Sequence, residues 1–179
     1  MSTRSFIGLE RPDGSIKCVY CHFDGYPAHH GAILLLAYPT ADKLDELLDL
    51  GDMSILGNIP GLIQDFSHPL PGHTLYFGRD RGDEGTGPKV CAHRSEYLYT
   101  AAHSGAEAAY LLDSSGHWLY QSVNWRLPLP PAFMPLKEAT ITDLKDLISR
   151  IPSFTHMPEE DRQEFARESQ AALEMVSNA

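Results

Sequence analysis

Ser5-Phe6-Ile7-Gly8-Leu9-Glu10-Arg11-Pro12-Asp13-Gly14-Ser15-Ile16-Lys17-Cys18-Val19-Tyr20-Cys21-His22-Phe23 places a β-like run on each side of a turn. Pro12-Asp13-Gly14-Ser15 supplies the turn chemistry, with Gly14 free to take positive φ. The returning run, 16–23, is rich in β-branched and aromatic residues, so the segment predicts a β-hairpin. Side chains alternate along a strand. Cys18, Tyr20 and His22 therefore share one face of it, and Val19, Cys21 and Phe23 the other.

Beyond Asp24-Gly25-Tyr26-Pro27 the apolar period changes. Residues 28–38 predict a buried helix that Pro39 stops, and Thr40 is placed to cap a second helix over 41–50. Leu44, Leu47 and Leu48 form the inner face of that second helix. Asp42, Asp45, Glu46 and Asp49 form its solvent face. Residues 51–72 read as loop, and 74–78 as a third strand running into Arg79-Asp80-Arg81. The stretch 82–88, with three glycines and two carboxylates, reads as a mobile loop. Ser95 is placed to cap a short helix through Ala102, although Tyr97-Leu98-Tyr99 could equally be extended. Residues 107–113 and 117–123 predict a second hairpin around Ser114-Ser115-Gly116.

From Arg126, the run Leu127-Pro128-Leu129-Pro130-Pro131 predicts a stiff connector, since proline cannot donate to a sheet ladder. Two helices follow. Thr140 or Thr142 opens the first, striped by Ile141, Leu144, Leu147, Ile148 and Ile151. Pro158 opens the second, with Glu159, Glu160 and Asp161 in its first turn, as the helix dipole favours. The pattern predicts an α+β fold: an antiparallel sheet of about five strands with helices packed on one face, spanning 1–125, and a helical extension over 126–179.

Composition narrows the function. A chain of 179 residues, 42% hydrophobic, buries a real core. Its net charge of −10, from 24 acidic and 14 basic residues, supplies no basic face for phosphates, so direct nucleic-acid binding is not expected. An acidic surface suits solubility, a basic protein partner, or mimicry of a phosphate backbone. The longest apolar run, Ala32-Ile33-Leu34-Leu35-Leu36-Ala37-Tyr38, is far short of the roughly 20 residues of a membrane span. With no apolar signal region at the N-terminus and three cysteines, an odd number, the expected location is a reducing cytoplasm.

Four segments carry a resemblance: Met1-Ser2-Thr3-Arg4-Ser5-Phe6-Ile7-Gly8-Leu9-Glu10, Tyr20-Cys21-His22-Phe23-Asp24-Gly25-Tyr26-Pro27, Leu50-Gly51-Asp52-Met53-Ser54-Ile55-Leu56-Gly57 and Tyr76-Phe77-Gly78-Arg79-Asp80-Arg81-Gly82. They resemble a group of small uncharacterised proteins carried by bacteriophages, prophages and plasmids, which more often have Trp where this chain has Phe23. The likeness covers residues 1 to about 123. It implies an accessory protein of a mobile element, working in the host bacterial cytoplasm as a monomer or homodimer without a cofactor. The expected activity is counter-defence: an anti-CRISPR-like inhibitor of a host protein or nucleoprotein complex that offers a basic surface. On that reading the binding residues are Asp42, Asp45, Glu46 and Asp49, with Tyr26, Arg79 and Arg81.

The rival reading is a small hydrolase or ligand-binding domain. His22 and Asp24, two residues apart, share a strand face, and a His oriented by a carboxylate is the usual general base. Arg79 and Arg81, if their strand neighbours this one, could hold an anionic substrate group by bidentate contacts, with Asp80 between them. A zinc set of Cys18, Cys21, Cys91 and His93 is disfavoured, because cysteines three apart on a strand point to opposite faces. Gly82, Gly85 and Gly87 lack the Lys-Ser/Thr pair of a phosphate loop, and His29-His30 reads as packing at a helix entrance.

Overall fold

The structure, a computed structural model, describes residues 3–124 and 132–179; the Pro-rich connector expected at 126–131 lies outside the described residues. The opening hairpin forms as the sequence predicts. β1 (Ser5–Glu10) and β2 (Ile16–Cys21) pair antiparallel, with Phe6 opposite Tyr20 and Leu9 opposite Lys17. Gly14 takes φ +84° in the turn, and the Asp13 carboxylate accepts from the Ser15 N–H and hydroxyl. The second hairpin also forms, from β6 (Ala108–Leu112) and β7 (Trp118–Ser122).

The sheet is larger than the predicted five strands and is mixed rather than antiparallel. In chain order the further strands are β3 (Met53–Ile55), β4 (Leu75–Tyr76), β5 (Lys89–Cys91) and β8 (Met134–Pro135). The order is β4-β3-β2-β1-β6-β7-β8, with β5 also on β2; β1 runs parallel to β6, and β2 to β3. Strands of two or three residues are too short to show the period-2 alternation from which strands are read. The parallel pairings are made by crossovers through helices, which join elements far apart in sequence.

Helices cover both faces of the sheet, not one. α1 (Ala32–Ala37), which continues a π-helical turn at Pro27–Gly31, and α2 (Ala41–Asp49) bury Leu34, Leu44, Leu47 and Leu48 against Ile7, Leu9, Val19 and Cys21. On the other face α3 (Arg94–His103) sets Tyr97, Leu98 and Ala101 against Phe6, Ile16, Cys18 and Leu111. The two central strands are thus buried on both sides, as parallel-paired strands usually are. The Tyr97 hydroxyl donates to the carbonyls of Phe6 and Tyr110, tying the helix to two strands. α3 is capped by His93, whose Nδ1 accepts from the Glu96 N–H at 3.2 Å, rather than by Ser95.

α4 (Leu136–Arg150) begins one turn before Thr140, which lies buried inside it, and α5 (Glu159–Asn178) follows Pro158 as expected. β8 extends the sheet beside β7, and Leu136 joins the core on the α2 side. Asp143 of α4 accepts the Ala28 N–H at 2.7 Å, and Val176 of α5 packs with Ala28, Ala32 and Leu144.

Candidate functional site

The ends of β2 and β4 bring the two charged motifs onto neighbouring backbone. Beyond β2 the chain crosses so close to β1 that a Cβ on Gly25 would sit 2.8 Å from the Ser5 Cβ and 2.9 Å from the Thr3 carbonyl. Gly25 N–H donates to that carbonyl at 2.8 Å, and its own carbonyl accepts from the Tyr110 hydroxyl. Asp24 makes the corner at φ +57°, a left-handed conformation that Asp tolerates better than most residues. The Tyr26 carbonyl accepts from the N–H groups of His29 and His30, so this tyrosine starts the π-helical turn.

His30 is fully buried, its Nδ1 2.9 Å from the Ser5 hydroxyl and its Nε2 3.8 Å from the Cys21 sulfur. Burial drives the imidazole well below its ordinary range and pushes the Cys21 thiol up to about 12. Cysteine, histidine and serine are aligned, but the thiol stays protonated and sealed, the opposite of an activated nucleophile.

After β4 a second π-helical turn, Phe77–Arg81, carries the other motif. Arg79 and Asp80 form two parallel bonds, 2.7 Å from Nε and 2.8 Å from Nη2. The remaining donors of Arg79 reach the carbonyls of Pro60, Gly61 and Thr74, each at 2.9 Å, so all five N–H groups are used. Asp80, its side chain fully buried, also accepts the N–H groups of Tyr76 and Gln64. Burial pushes this carboxyl up, but the bonds from Arg79 and the two backbone groups prevail and hold it below its ordinary value. The pair clamps the long loop between β3 and β4. Gln64 closes the loop further, donating to the Thr74 carbonyl and accepting the Leu70 N–H.

What the clamped loop presents is apolar. Leu62 is 81% exposed and Ile63 74%. In the same loop Phe66 lies 5.8 Å from the Phe77 ring, and the Arg81 guanidinium sits 4.6 Å from each. Asp83 pairs with Arg81 along the outer edge. The Phe77 ring continues the patch to His22 at 6.5 Å, and His22 to the exposed Phe23 at 4.5 Å. Phe66, Leu62 and Ile63 carried no periodic signal, because the stretch 51–72 has no apolar period; the signal available was adjacent large apolar residues amid Gly and Pro.

Among the described residues no hydrogen bond or ion pair joins His22 or Asp24 to Arg79 or Asp80. The acidic face of α2 is not wholly solvent either. Lys17, 5% exposed, reaches Asp45 at 2.8 Å and Asp49 at 2.5 Å, so these two carboxylates, though partly in water, are paired, and Asp42 and Glu46 are the acidic residues of the face that Lys17 does not engage. Cys18 and Cys21 face opposite sides of the sheet. Cys18 lies 3.8 Å from Cys91, and no group of three or more metal-ligand side chains gathers among the described residues.

Among the described residues, further concavities lie elsewhere. A cleft of about 550 Å³ runs between Leu35, Trp118 and Val176, and one of about 270 Å³ lies beneath the clamped loop between His29 and His73. None of the described helices is long and apolar enough to cross a membrane. No family model, no curated protein and no solved structure matches the chain.

Proposed function

We propose that this chain acts by binding a protein partner stoichiometrically, through the surface formed by Leu62, Ile63, Phe66, Phe77, Arg81 and Phe23. The observation that carries this reading is the exposure of Leu62 and Ile63 on a loop held by all five donors of Arg79. Large apolar side chains in water on an ordered backbone mark interaction surfaces, and aromatic residues with arginine are the types that dominate binding energy. Holding the loop before contact lowers the ordering cost of association.

The partner on this reading is a host protein or nucleoprotein complex with an apolar pocket and a basic rim. Asp42 and Glu46, in a chain of net charge −10, favour such a rim and speed encounter more than they tighten the complex. The counter-defence role in a bacterial cytoplasm rests on the resemblance to mobile-element proteins. The hydrolase reading is weaker, because Arg79 and Asp80 are occupied by the loop and the Cys21 thiol is sealed. The test is a capture experiment comparing the native chain with Leu62→Asp/Ile63→Asp at equal folded concentration. Retention of one partner, at one copy per chain, by the native protein alone supports the proposal.

A further inference from the structure

The α3 side of the sheet holds two thiols in contact. Cys18 of β2 and Cys91 of β5 are both buried, and their sulfurs lie 3.8 Å apart. Phe6, Ile16, Tyr97 and Leu111 share their apolar cluster. Cys91 also meets the Thr100 hydroxyl of α3 at 3.8 Å. The third cysteine, Cys21, is on the opposite face, in the cluster of Ile7, Val19 and Leu34. Burial, and then Cys91, push the Cys18 thiol up, while the Lys89 charge acts in the other direction.

The strand register decides what can bridge the pair. β5 sets Cys91 opposite Ile16 and Lys89 opposite Cys18, so the two cysteines are diagonal neighbours. Diagonal positions of an antiparallel pair have Cα atoms about 7–8 Å apart, beyond the roughly 5.5–6 Å of a disulfide. An ion between the sulfurs adds a second bond and spans that gap. At metal–thiolate lengths of about 2.3 Å, two sulfurs on one ion stand about 3.8 Å apart at a tetrahedral angle and about 4.6 Å apart in line, so the pair needs to open by under about 1 Å. Only thiols are on offer, because no group of three or more metal-ligand side chains gathers among the described residues. Zinc takes four ligands, whereas a soft monovalent ion is held by thiolates alone.

We propose that Cys18 and Cys91 bind one Cu(I) ion. Each thiol gives its proton to solvent and each sulfur forms one bond to copper, with no change of oxidation state, leaving the group with one net negative charge. Lys89, opposite Cys18 in the register and 5.7 Å from the Phe6 ring, supplies an opposing charge nearby. The apolar cluster limits the access of water to the ion. Entry is through β5, a strand of three residues whose Lys89 and Val90 are exposed. The site shares no residue with the partner-binding surface and is independent of that reading.

The test is anaerobic titration of the reduced full chain with Cu(I) against a competing Cu(I) chelator, followed by X-ray absorption of the loaded protein. The expected result is one ion per chain, with an affinity lowered at least about a hundredfold by Cys18→Ala and by Cys91→Ala at equal folded concentration. Cys21→Ala and Leu62→Asp/Ile63→Asp should leave it unchanged. Should either alanine variant fail to fold, the absorption spectrum of the native chain decides, since copper should have two sulfur neighbours and no nitrogen. Absence of one-to-one binding, dependence on Cys21, or a shell containing imidazole nitrogen would overturn the proposal.

Discussion

Arg79 and Asp80, adjacent in sequence, bond to each other side chain to side chain while both hold the loop between β3 and β4. Adjacent residues on a strand point to opposite faces, so such a pair needs a helical turn to bring the side chains together. The π-helical turn Phe77–Arg81 provides it. Arg79→Lys keeps the charge but cannot serve five acceptors from one ammonium. The variant should lose about 2–3 kcal/mol of stability in urea unfolding, with hydrogen exchange accelerated across 59–73. A loss under 0.5 kcal/mol would mean that the clamp does not hold the loop.

Asp24 occupies its corner for conformational reasons. Asp24→Gly should leave the melting temperature unchanged or slightly raised, whereas Asp24→Val should cost about 1–2 kcal/mol. A catalytic or ligand role would appear instead as loss of activity in the glycine variant despite intact folding.

The charges of α2 divide into two pairs. Asp45→Lys/Asp49→Lys surrounds buried Lys17 with like charge and removes both its partners, at a cost of about 3–5 kcal/mol by thermal or chemical unfolding. Asp42→Lys/Glu46→Lys should shift stability by less than about 0.5 kcal/mol, while slowing association with a basic partner and flattening its salt dependence. Equal effects of the two double variants would contradict the Lys17 pairing.

Acid should weaken the fold in two stages. His30 and His29, lowered mainly by burial from the ordinary 6.5, stay neutral when folded but take up a proton when unfolded. The unfolded state binds more protons, so stability falls as pH drops below about 6.5, by up to about 1.4 kcal/mol per pH unit for a fully buried imidazole. Asp80 has the depressed carboxyl, so its contribution is present above its unfolded pKa and is lost as pH falls through the folded one. His30→Gln should reduce the first stage in a pH series of urea midpoints, leaving the His29 part of it and the second stage in place.

The elements legible in the sequence are those whose signal is local. Pro12-Asp13-Gly14-Ser15 and Ser114-Ser115-Gly116 mark both hairpins, and Leu44, Leu47 and Leu48 mark α2. The parallel joining of β1 to β6 was not legible, since it depends on packing across about a hundred residues. Nor was the burial of Lys17, whose alternation in β2 is that of any polar strand residue. For the site, the sequence points to the motif ends at His22 and Arg79, but not to their separate roles. Five acceptors for one guanidinium are assembled from Pro60, Gly61, Thr74 and Asp80 only once the loop has folded back.

The most direct test of the central claim is the stoichiometry and surface dependence of partner binding. A partner captured by the native chain should saturate at one copy per chain, and Leu62→Asp/Ile63→Asp should weaken the complex at least about a hundredfold at unchanged stability. Bound partner should slow hydrogen exchange at 59–66 and 77–81. Full effect at a small fraction of the target concentration, or undiminished affinity in the double variant, would contradict action by binding through this loop.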